Sequence, residues 1–336
     1  SIAINSVLLQ YAKQKKLLID IPDKNRKFHR RATPVTGGIG ILFALLLSGK
    51  LYLDLNNLNG YMPNFSFHLM LISIPLLIFF LIDDHRGLKA IYRLSFQILA
   101  TLYVIYTTDI YLLNLGDLFG FGNIYLGKFA IPITLFCVVG LMNAFNMIDG
   151  INGLCAGFAM LSLLFIGFYS GLIYDSMLIL IIGAMVGFLI FNLRLFGKKR
   201  GVFLGDSGSN MIGFWVAWSA IYASQIQNYD ASPITMIWFV AIPLLDCVGL
   251  IISRIYRGVS IASPGRDHRR PVPHRQGGRG HPSRRGRIPA QGRTAVRFLR
   301  TRLRSAADDL PRRLEGPGRA FGACRRRLRY PRRVQG

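Results

Sequence analysis

Cysteine is scarce in this sequence. Only four of its 336 residues are cysteines; Cys137, Cys155 and Cys247 lie inside apolar runs, and Cys324 stands alone. This spacing shows neither a disulfide framework nor a CxxC metal site. The chain also has no Walker loop, no GxGxxG fingerprint and no evident Ser-His-Asp arrangement. Nothing in it therefore indicates a familiar nucleotide-binding loop or a serine hydrolase.

The positive charge is concentrated in the C-terminal part. Up to Pro264 the chain has 19 Lys and Arg against 12 acidic residues, whereas from Gly265 onward it has 22 Arg, no Lys and 4 acids. The overall net charge of +25 therefore describes mainly the last 72 residues. The hydrophobic content of the whole chain is nevertheless 51%, which indicates a membrane protein.

Long apolar runs divide the body into candidate membrane spans. A helix needs roughly 20 residues to cross about 30 Å of hydrocarbon, and eight runs approach or reach that length, with 1–10 as a partial ninth. The runs are 38–53, 67–82, 94–107, 129–147, 154–174, 177–193, 210–223 and 234–252. The sequence thus predicts an all-α, polytopic membrane helical bundle with about eight or nine spans and a disordered Arg-rich tail.

Lys and Arg determine the predicted orientation of this bundle. If the spans alternate, only Lys50 and Lys128 of the 19 cations before Gly265 lie opposite the basic N-terminal loop. By the positive-inside rule that loop is cytoplasmic. The polar loops that follow the spans then share the cytoplasmic face, so we expect a single groove that opens there.

The most polar stretch of the apolar body is 143–153, Asn-Ala-Phe-Asn-Met-Ile-Asp-Gly-Ile-Asn-Gly. It places Asp149 and the carboxamides of Asn143, Asn146 and Asn152 between two spans. Polar groups at membrane depth are costly and usually mark a functional site. The alternative is a helix end that is capped by Asn and Asp and broken by glycine.

Three further motifs place acids beside or within spans. Asp83 and Asp84 end one apolar run, Asp206 precedes another, and Asp246 lies inside the last. The structural alternatives are pairing with loop cations, helix capping and an intramembrane pair with a neighbouring helix. Because these acids and the basic loops share one face, they together suggest a divalent-metal site that handles a diphosphate.

These motifs in this order resemble the polyprenyl-phosphate N-acetylhexosamine-1-phosphate transferases. The resemblance covers roughly residues 12–268 and is closest to the bacterial branch that transfers GlcNAc-1-phosphate from UDP-GlcNAc to undecaprenyl phosphate. The matching segments are Lys27-Phe-His29, Pro34-Val-Thr-Gly-Gly38, Asp83-Asp84 with Arg93, Asn143 to Asp149, Phe203 to Ser209, and Ile242 to Asp246 leading into Arg257.

The resemblance implies a Mg²⁺-dependent phosphotransferase of a bacterial inner membrane, with Mn²⁺ as an alternative ion. Its catalytic residues would be Asp83, Asp84, Asp149 and Asp206, and all of these except Asp149 would also hold the metal. Its substrate-binding residues would be Lys27, His29, Arg93, Asn143, Asn146, Asn152, Asp246, Arg257 and His268. Its partners would be UDP-N-acetylhexosamine, undecaprenyl phosphate and membrane lipids, without nucleic acid, and a homodimer is left open.

The chain departs from the family pattern in three places. Asn152 stands where the family often has Asp, His268 alone remains of a histidine cluster, and one or two further spans are not found. The composition also changes to Arg, Gly, Pro and Ala near His268. The sequence therefore predicts a transmembrane transferase domain, 1–264, and a non-native or frame-shifted tail, 265–336. An arginine-rich arm for nucleic acid or anionic lipid is the alternative for the tail.

The predicted reaction follows from the resemblance. A sugar-1-phosphate, GlcNAc-1-phosphate in the closest branch, would pass from a UDP-sugar to undecaprenyl phosphate, releasing UMP and starting a lipid-linked envelope glycan. A transporter or flippase for a phosphorylated lipid or a nucleotide sugar is the alternative, because polar residues in spans also mark substrate pathways. No internal repeat in the sequence favours that alternative.

Overall fold

The computed structural model describes residues 1–15, 18–20, 32–56, 63–117, 122–197, 200–225, 231–256 and 258. All of them belong to one compact unit, Ser1–Arg270. Four of the predicted site residues, Lys27, His29, Arg257 and His268, lie outside the described residues, as does the whole predicted tail.

The described residues are mostly helical, as the apolar runs predict. The helices are α1 Ile2–Lys15, α2 Gly37–Leu55, α3 Asn64–Arg86, α4 Ala90–Thr108, α5 Ala130–Ile148, α6 Leu154–Ser170, α7 Ser176–Asn192, α8 Gly205–Gln225, α9 Pro233–Phe239 and α10 Ala241–Tyr256. Short 3-10 turns occur at Gly127–Phe129 and Leu172–Tyr174.

One small sheet qualifies the all-α prediction. Strand β1, Ile19–Asp20, pairs antiparallel with β2, Thr33–Pro34, so that Ile19 lies opposite Pro34. Each strand has two residues, which is too short to produce the alternation of apolar and polar side chains that predicts a strand.

Membrane-spanning capacity is clear for part of the bundle. Among the described residues, three helical segments are long and apolar enough to cross a bilayer: Gly37–Leu55, Asn64–Arg86 and Gly127–Ile148. The pair α9 and α10, bent by 74° at a short break, makes a fourth if it is counted as one span. Two shorter apolar helices, α6 and α7, accompany them. The count of eight or nine spans stays a prediction.

Helix α8 forms the centre of the bundle. It packs against α5, α3, α6 and α2, and every residue from Ser207 to Ser219 is buried. A helix that is surrounded on all sides must bury its few polar side chains with partners. Trp215 meets this requirement, because its indole Nε1 donates a hydrogen bond to Ser73 Oγ of α3 at 2.8 Å.

Helix α8 can approach α5 closely because residue 213 is glycine, which has no side chain. A β-carbon at Gly213 of α8 would lie 2.8 Å from the Cα of Met142 and 3.1 Å from the carbonyl oxygen of Leu141. These are backbone atoms and cannot move aside as a flexible side chain would. Small residues allow such close approach of helices in membrane proteins.

Replacing Gly213 should therefore destabilise the bundle. Overpacking of a filled core costs about 1–3 kcal/mol, so we expect Gly213→Ala to lower the thermal unfolding midpoint of the detergent-solubilised protein. Gly140→Ala on α5 is the matched control, since a β-carbon there would meet no atom within 4 Å. Equal unfolding midpoints for the two variants would contradict the close packing of α8 on α5.

Candidate active site

The segments Pro34-Val-Thr-Gly-Gly38 and Phe203 to Ser209 lie side by side in the structure. The amide of Gly37 donates to the carbonyl of Phe203 at 2.9 Å, and the amide of Phe203 donates to the carbonyl of Pro34 at 2.8 Å. A β-carbon at Gly38 would lie 2.8 Å from the Cα of Gly208. The start of α2 and the start of α8 are thus held together by backbone contacts that tolerate only glycine.

Asp84 caps the N-terminus of α8. Its Oδ1 accepts a hydrogen bond from the amide of Asp206 at 3.0 Å, and its Oδ2 accepts one from the amide of Ser207 at 3.2 Å. The helix begins at Gly205, whose φ of +80° suits glycine. A carboxylate at this position satisfies two free amides and the positive end of the helix dipole. Asp84 therefore positions Asp206.

Arg93 lies between two other acids. Its Nη1 is 3.7 Å from Asp83 Oδ2 and 3.8 Å from Asp206 Oδ2. Asp83 is only 4% exposed; its Oδ1 accepts the amide of Leu88 at 2.7 Å, whereas its buried Oδ2 has no hydrogen-bond partner. The guanidinium thus offsets part of the repulsion between Asp83 and Asp206, and Asp83 Oδ2 has this ion pair but no hydrogen bond.

Asp149 completes the group of acids. It follows the last residue of α5 and is half-buried. Removal from water, and then repulsion by the charges of Asp206 and Asp84, raise the pKa of its carboxyl from 3.8 to about 7. This carboxyl therefore exchanges its proton near neutral pH, which is a property of groups that transfer protons in active sites.

The three asparagines of the stretch 143–153 differ in their surroundings: two bond to neighbouring helices and one is exposed. Asn146 Oδ1 accepts a hydrogen bond from Ser209 Oγ of α8 at 2.9 Å, and Asn143 Nδ2 donates to Gln97 Oε1 of α4 at 2.9 Å. Both therefore connect α5 to its neighbours. Asn152 is exposed in the turn before α6, where it is accessible to a ligand.

Asp246 is exposed on α10. Helix α10 packs on α5 and α9 after the 74° bend, and Cys247 Sγ, next to Asp246, lies 3.5 Å from Met147 Sδ of α5. Contacts and charge interactions connect Asp83, Asp84, Asp149 and Asp206, whereas the participation of Asp246 stays a prediction.

Sequence reasoning missed several carboxamides that hold the motifs in place. The side chain of Asn192, at the end of α7, accepts a hydrogen bond from the amide of Gly153 and donates one to the carbonyl of Val202 at 2.8 Å. It therefore links the loop after Asp149 to the loop before Asp206. Gln97 and Asn210 are buried in α4 and α8. A single carboxamide within an apolar run was the available signal, because such groups need partners at membrane depth.

The acids suit a hard cation in kind, although they do not form a complete metal site by themselves. Within the described ranges, no three His, Cys, Asp or Glu side chains are grouped closely enough to hold an ion. Mg²⁺ commonly takes one or two carboxylates and completes its shell with water and substrate phosphates. The unbonded Oδ2 of buried Asp83, which faces Arg93 and through it Asp206, fits such an incomplete site.

Comparison with known proteins gives a consistent result. Residues 66–224 match the model of the family described as glycosyl transferase family 4. The undecaprenyl-phosphate alpha-N-acetylglucosaminyl 1-phosphate transferase of Yersinia pestis is 34% identical over 263 residues, which cover 75% of this chain and 68% of that protein. The proteins of the same name from Escherichia coli K12 and Haemophilus influenzae are 33% and 32% identical, over 67% and 70% of their lengths.

The matched region contains the features built above from the structure. Residues 66–224 include most of α3, all of α4 to α7 and nearly all of α8, together with Asp83, Asp84, Asp149 and Asp206. The family resemblance predicted from the motifs is therefore confirmed. With its several apolar helices, the chain is a membrane-integral protein that belongs to glycosyl transferase family 4.

Proposed function

We propose that this protein transfers GlcNAc-1-phosphate from UDP-GlcNAc to undecaprenyl phosphate. The supporting observation is a group of four carboxylates: Asp83 and Asp206 pair with Arg93, Asp84 caps the helix that carries Asp206, and the charges of Asp206 and Asp84 act on Asp149. The relatives named above act on undecaprenyl phosphate according to their names. They are all transferases, so nothing in the comparison favours a transporter.

The reaction is a displacement at phosphorus. An oxygen of the lipid phosphate forms a bond to the sugar-linked phosphorus of UDP-GlcNAc. The bond from that phosphorus to the bridging oxygen breaks, and UMP leaves with the electron pair. Such transfers need little covalent chemistry from the protein, so catalysis consists mainly of positioning and of charge neutralisation.

Asp149 is the best candidate to accept the proton of the lipid phosphate. Phosphate monoesters lose their second proton near pH 6, and a base works best when its own pKa is close to the working pH. The raised pKa of Asp149, about 7, meets that condition. Asp83 is less suited to this role, because its carboxylate is fixed by the amide of Leu88 and by Arg93.

The remaining residues bind and orient the substrates. Arg93 lies within reach of phosphate oxygens, and its planar guanidinium can contact two of them. Exposed Asn152 would contact the nucleotide sugar, and half-buried Asn143 and Asn146 would do so with the polar atoms that their bonds to neighbouring helices leave over. Asp246, exposed on α10, would act at the edge of the groove.

Mg²⁺, held by Asp83 and Asp206 with assistance from Asp84, would neutralise the diphosphate oxygens when bound. The carboxylates themselves contribute fixed negative charges that select a cation and, through it, a phosphate. In the sequence, Lys and Arg are concentrated in the loops on the same predicted side as the acids, which supports a cytoplasmic orientation in an inner membrane, where UDP-sugars would be available.

Replacing the acids should abolish turnover. Membranes containing residues 1–264 joined to the C-terminal part of the Escherichia coli relative should release UMP from UDP-GlcNAc when undecaprenyl phosphate and Mg²⁺ are supplied. We expect Asp83→Asn and Asp206→Asn to lower this rate at least about 100-fold, because each removes a charge that is fixed at the reacting phosphates.

Asp54→Asn provides the matched control for that assay. Asp54 is an exposed acid near the end of α2, about 26 Å along the helix from Gly37 at the site. Its rate should equal that of the wild type. Site variants that turn over as fast as Asp54→Asn would refute the assignment of the acids.

The pH dependence of the protein's stability should show that Asp149 is protonated in the folded state. The folded state keeps this proton up to about pH 7, whereas the unfolded chain releases it near 3.8. Stability must therefore fall as the pH rises between these values. Asp149→Asn should lack this decrease in stability. The unfolding midpoint of the variant minus that of the wild type should therefore increase from about pH 4 to pH 7 and stay constant above that range. Parallel midpoint curves would contradict the raised pKa.

A further inference from the structure

Helix α4 contributes a second polar side chain that no motif identified. Gln97 lies one helical turn after Arg93, so the two side chains share a face of α4. Gln97 is only 1% exposed and is surrounded by apolar helices. Burial of a carboxamide is costly unless all of its hydrogen-bonding groups find partners.

Gln97 joins three helices through a directional chain of hydrogen bonds. Asn143 Nδ2 of α5 donates to Gln97 Oε1 at 2.9 Å, and Gln97 Nε2 donates to Asn210 Oδ1 of α8 at 2.7 Å. Asn210 Nδ2 then donates to the backbone carbonyl of Asp206 at 2.8 Å. The chain therefore ends on the residue that pairs with Arg93.

The direction of the chain allows only one arrangement of its amides. If Gln97 were turned over, its Nε2 would face the amino group of Asn143 and its Oε1 would face the oxygen of Asn210. Turning Asn210 as well would place its oxygen against the carbonyl of Asp206. Every alternative thus leaves buried polar atoms opposed, and each such atom is costly to leave without a partner.

We infer that Gln97 is a positioning residue, which locks α4 against α5 and α8 so that Arg93 stays between Asp83 and Asp206. Both Arg93 and Gln97 join α4 to α8. Arg93 approaches Asp83 and Asp206 at 3.7 and 3.8 Å from α4, while Gln97 fixes that helix to the first turn of α8 through Asn210. The consequence for catalysis, though not for the geometry, rests on the proposed function.

A double-mutant cycle tests the geometry on the full 336-residue chain in detergent. The thermal unfolding midpoint is measured for the wild type, Gln97→Met, Arg93→Gln and the double variant. Arg93→Gln should lower the midpoint, because Asp83 and Asp206 then repel each other without an intervening cation. In the Gln97→Met background this drop should shrink to roughly half, since residues that act through one arrangement are not additive.

Ser162→Ala provides the matched background. It removes the hydrogen bond from buried Ser162 Oγ of α6 to the carbonyl of Phe239 of α9, and neither helix carries Arg93, Asp83 or Asp206. In this background Arg93→Gln should cause the full drop. Equal drops in the wild-type, Ser162→Ala and Gln97→Met backgrounds would overturn the inference. If Gln97→Met fails to fold, Asn210→Ala replaces it, because this change removes the acceptor of Gln97 Nε2 and the donor to the carbonyl of Asp206 without adding a charge.

Enzyme kinetics separate a positioning role from a structural one. In the chimera used for the UMP assay, Gln97→Met should lower kcat by roughly 10–100-fold through misplacement of Arg93 and Asp206, with little change in KM for UDP-GlcNAc. Ser162→Ala should leave kcat unchanged after correction for the folded fraction. A change in KM alone would contradict the inference. A wild-type enzyme that releases no UMP would instead refute the proposed function, while the stability cycle would still decide the role of Gln97.

Discussion

Repulsion among four carboxylates is the constraint that shapes this end of the molecule. Asp83, Asp84, Asp149 and Asp206 lie at one end of an apolar bundle, where charges interact strongly. Their charges are offset in three ways. Asp84 is neutralised in part by the start of α8, Asp83 and Asp206 by one arginine, and Asp149 by retaining its proton up to about pH 7. A site that stores repulsion in this way favours a cationic ligand.

Holding these acids together requires a rigid support, which the bundle supplies by two means. Glycines allow backbones to touch, as at Gly38 with Gly208 and at Gly213 with α5. Buried carboxamides connect helices that apolar packing alone would leave free to slide, as Gln97 and Asn192 do. Because apolar side chains have no directional preference in a bilayer, hydrogen bonds and close packing must specify the register of the helices.

The sequence predicted the helices and most of the acid cluster for a simple reason: a carboxylate beside an apolar run is conspicuous. It did not predict how the acids are held. Asp84 was expected to act as catalyst or ligand, and only the fold shows that it caps α8. Asp246 has the same sequence signal as Asp206, yet the bend between α9 and α10 precedes it, and it remains exposed. A bend between two apolar segments leaves no periodic signature, so its effect on position could not be foreseen.

Gln97 is a residue whose role the sequence did not reveal at all. A lone glutamine in an apolar run is less conspicuous than a pair of aspartates, because it bears no charge and belongs to no loop. Its importance depends on partners 46 and 113 residues away, which no local pattern can identify. Yet neutrality is what suits it to this position. A charged residue there would add to the field of four acids, whereas an amide can donate at one end and accept at the other. The polar residues that position a charged site are therefore best sought among the uncharged ones buried behind it.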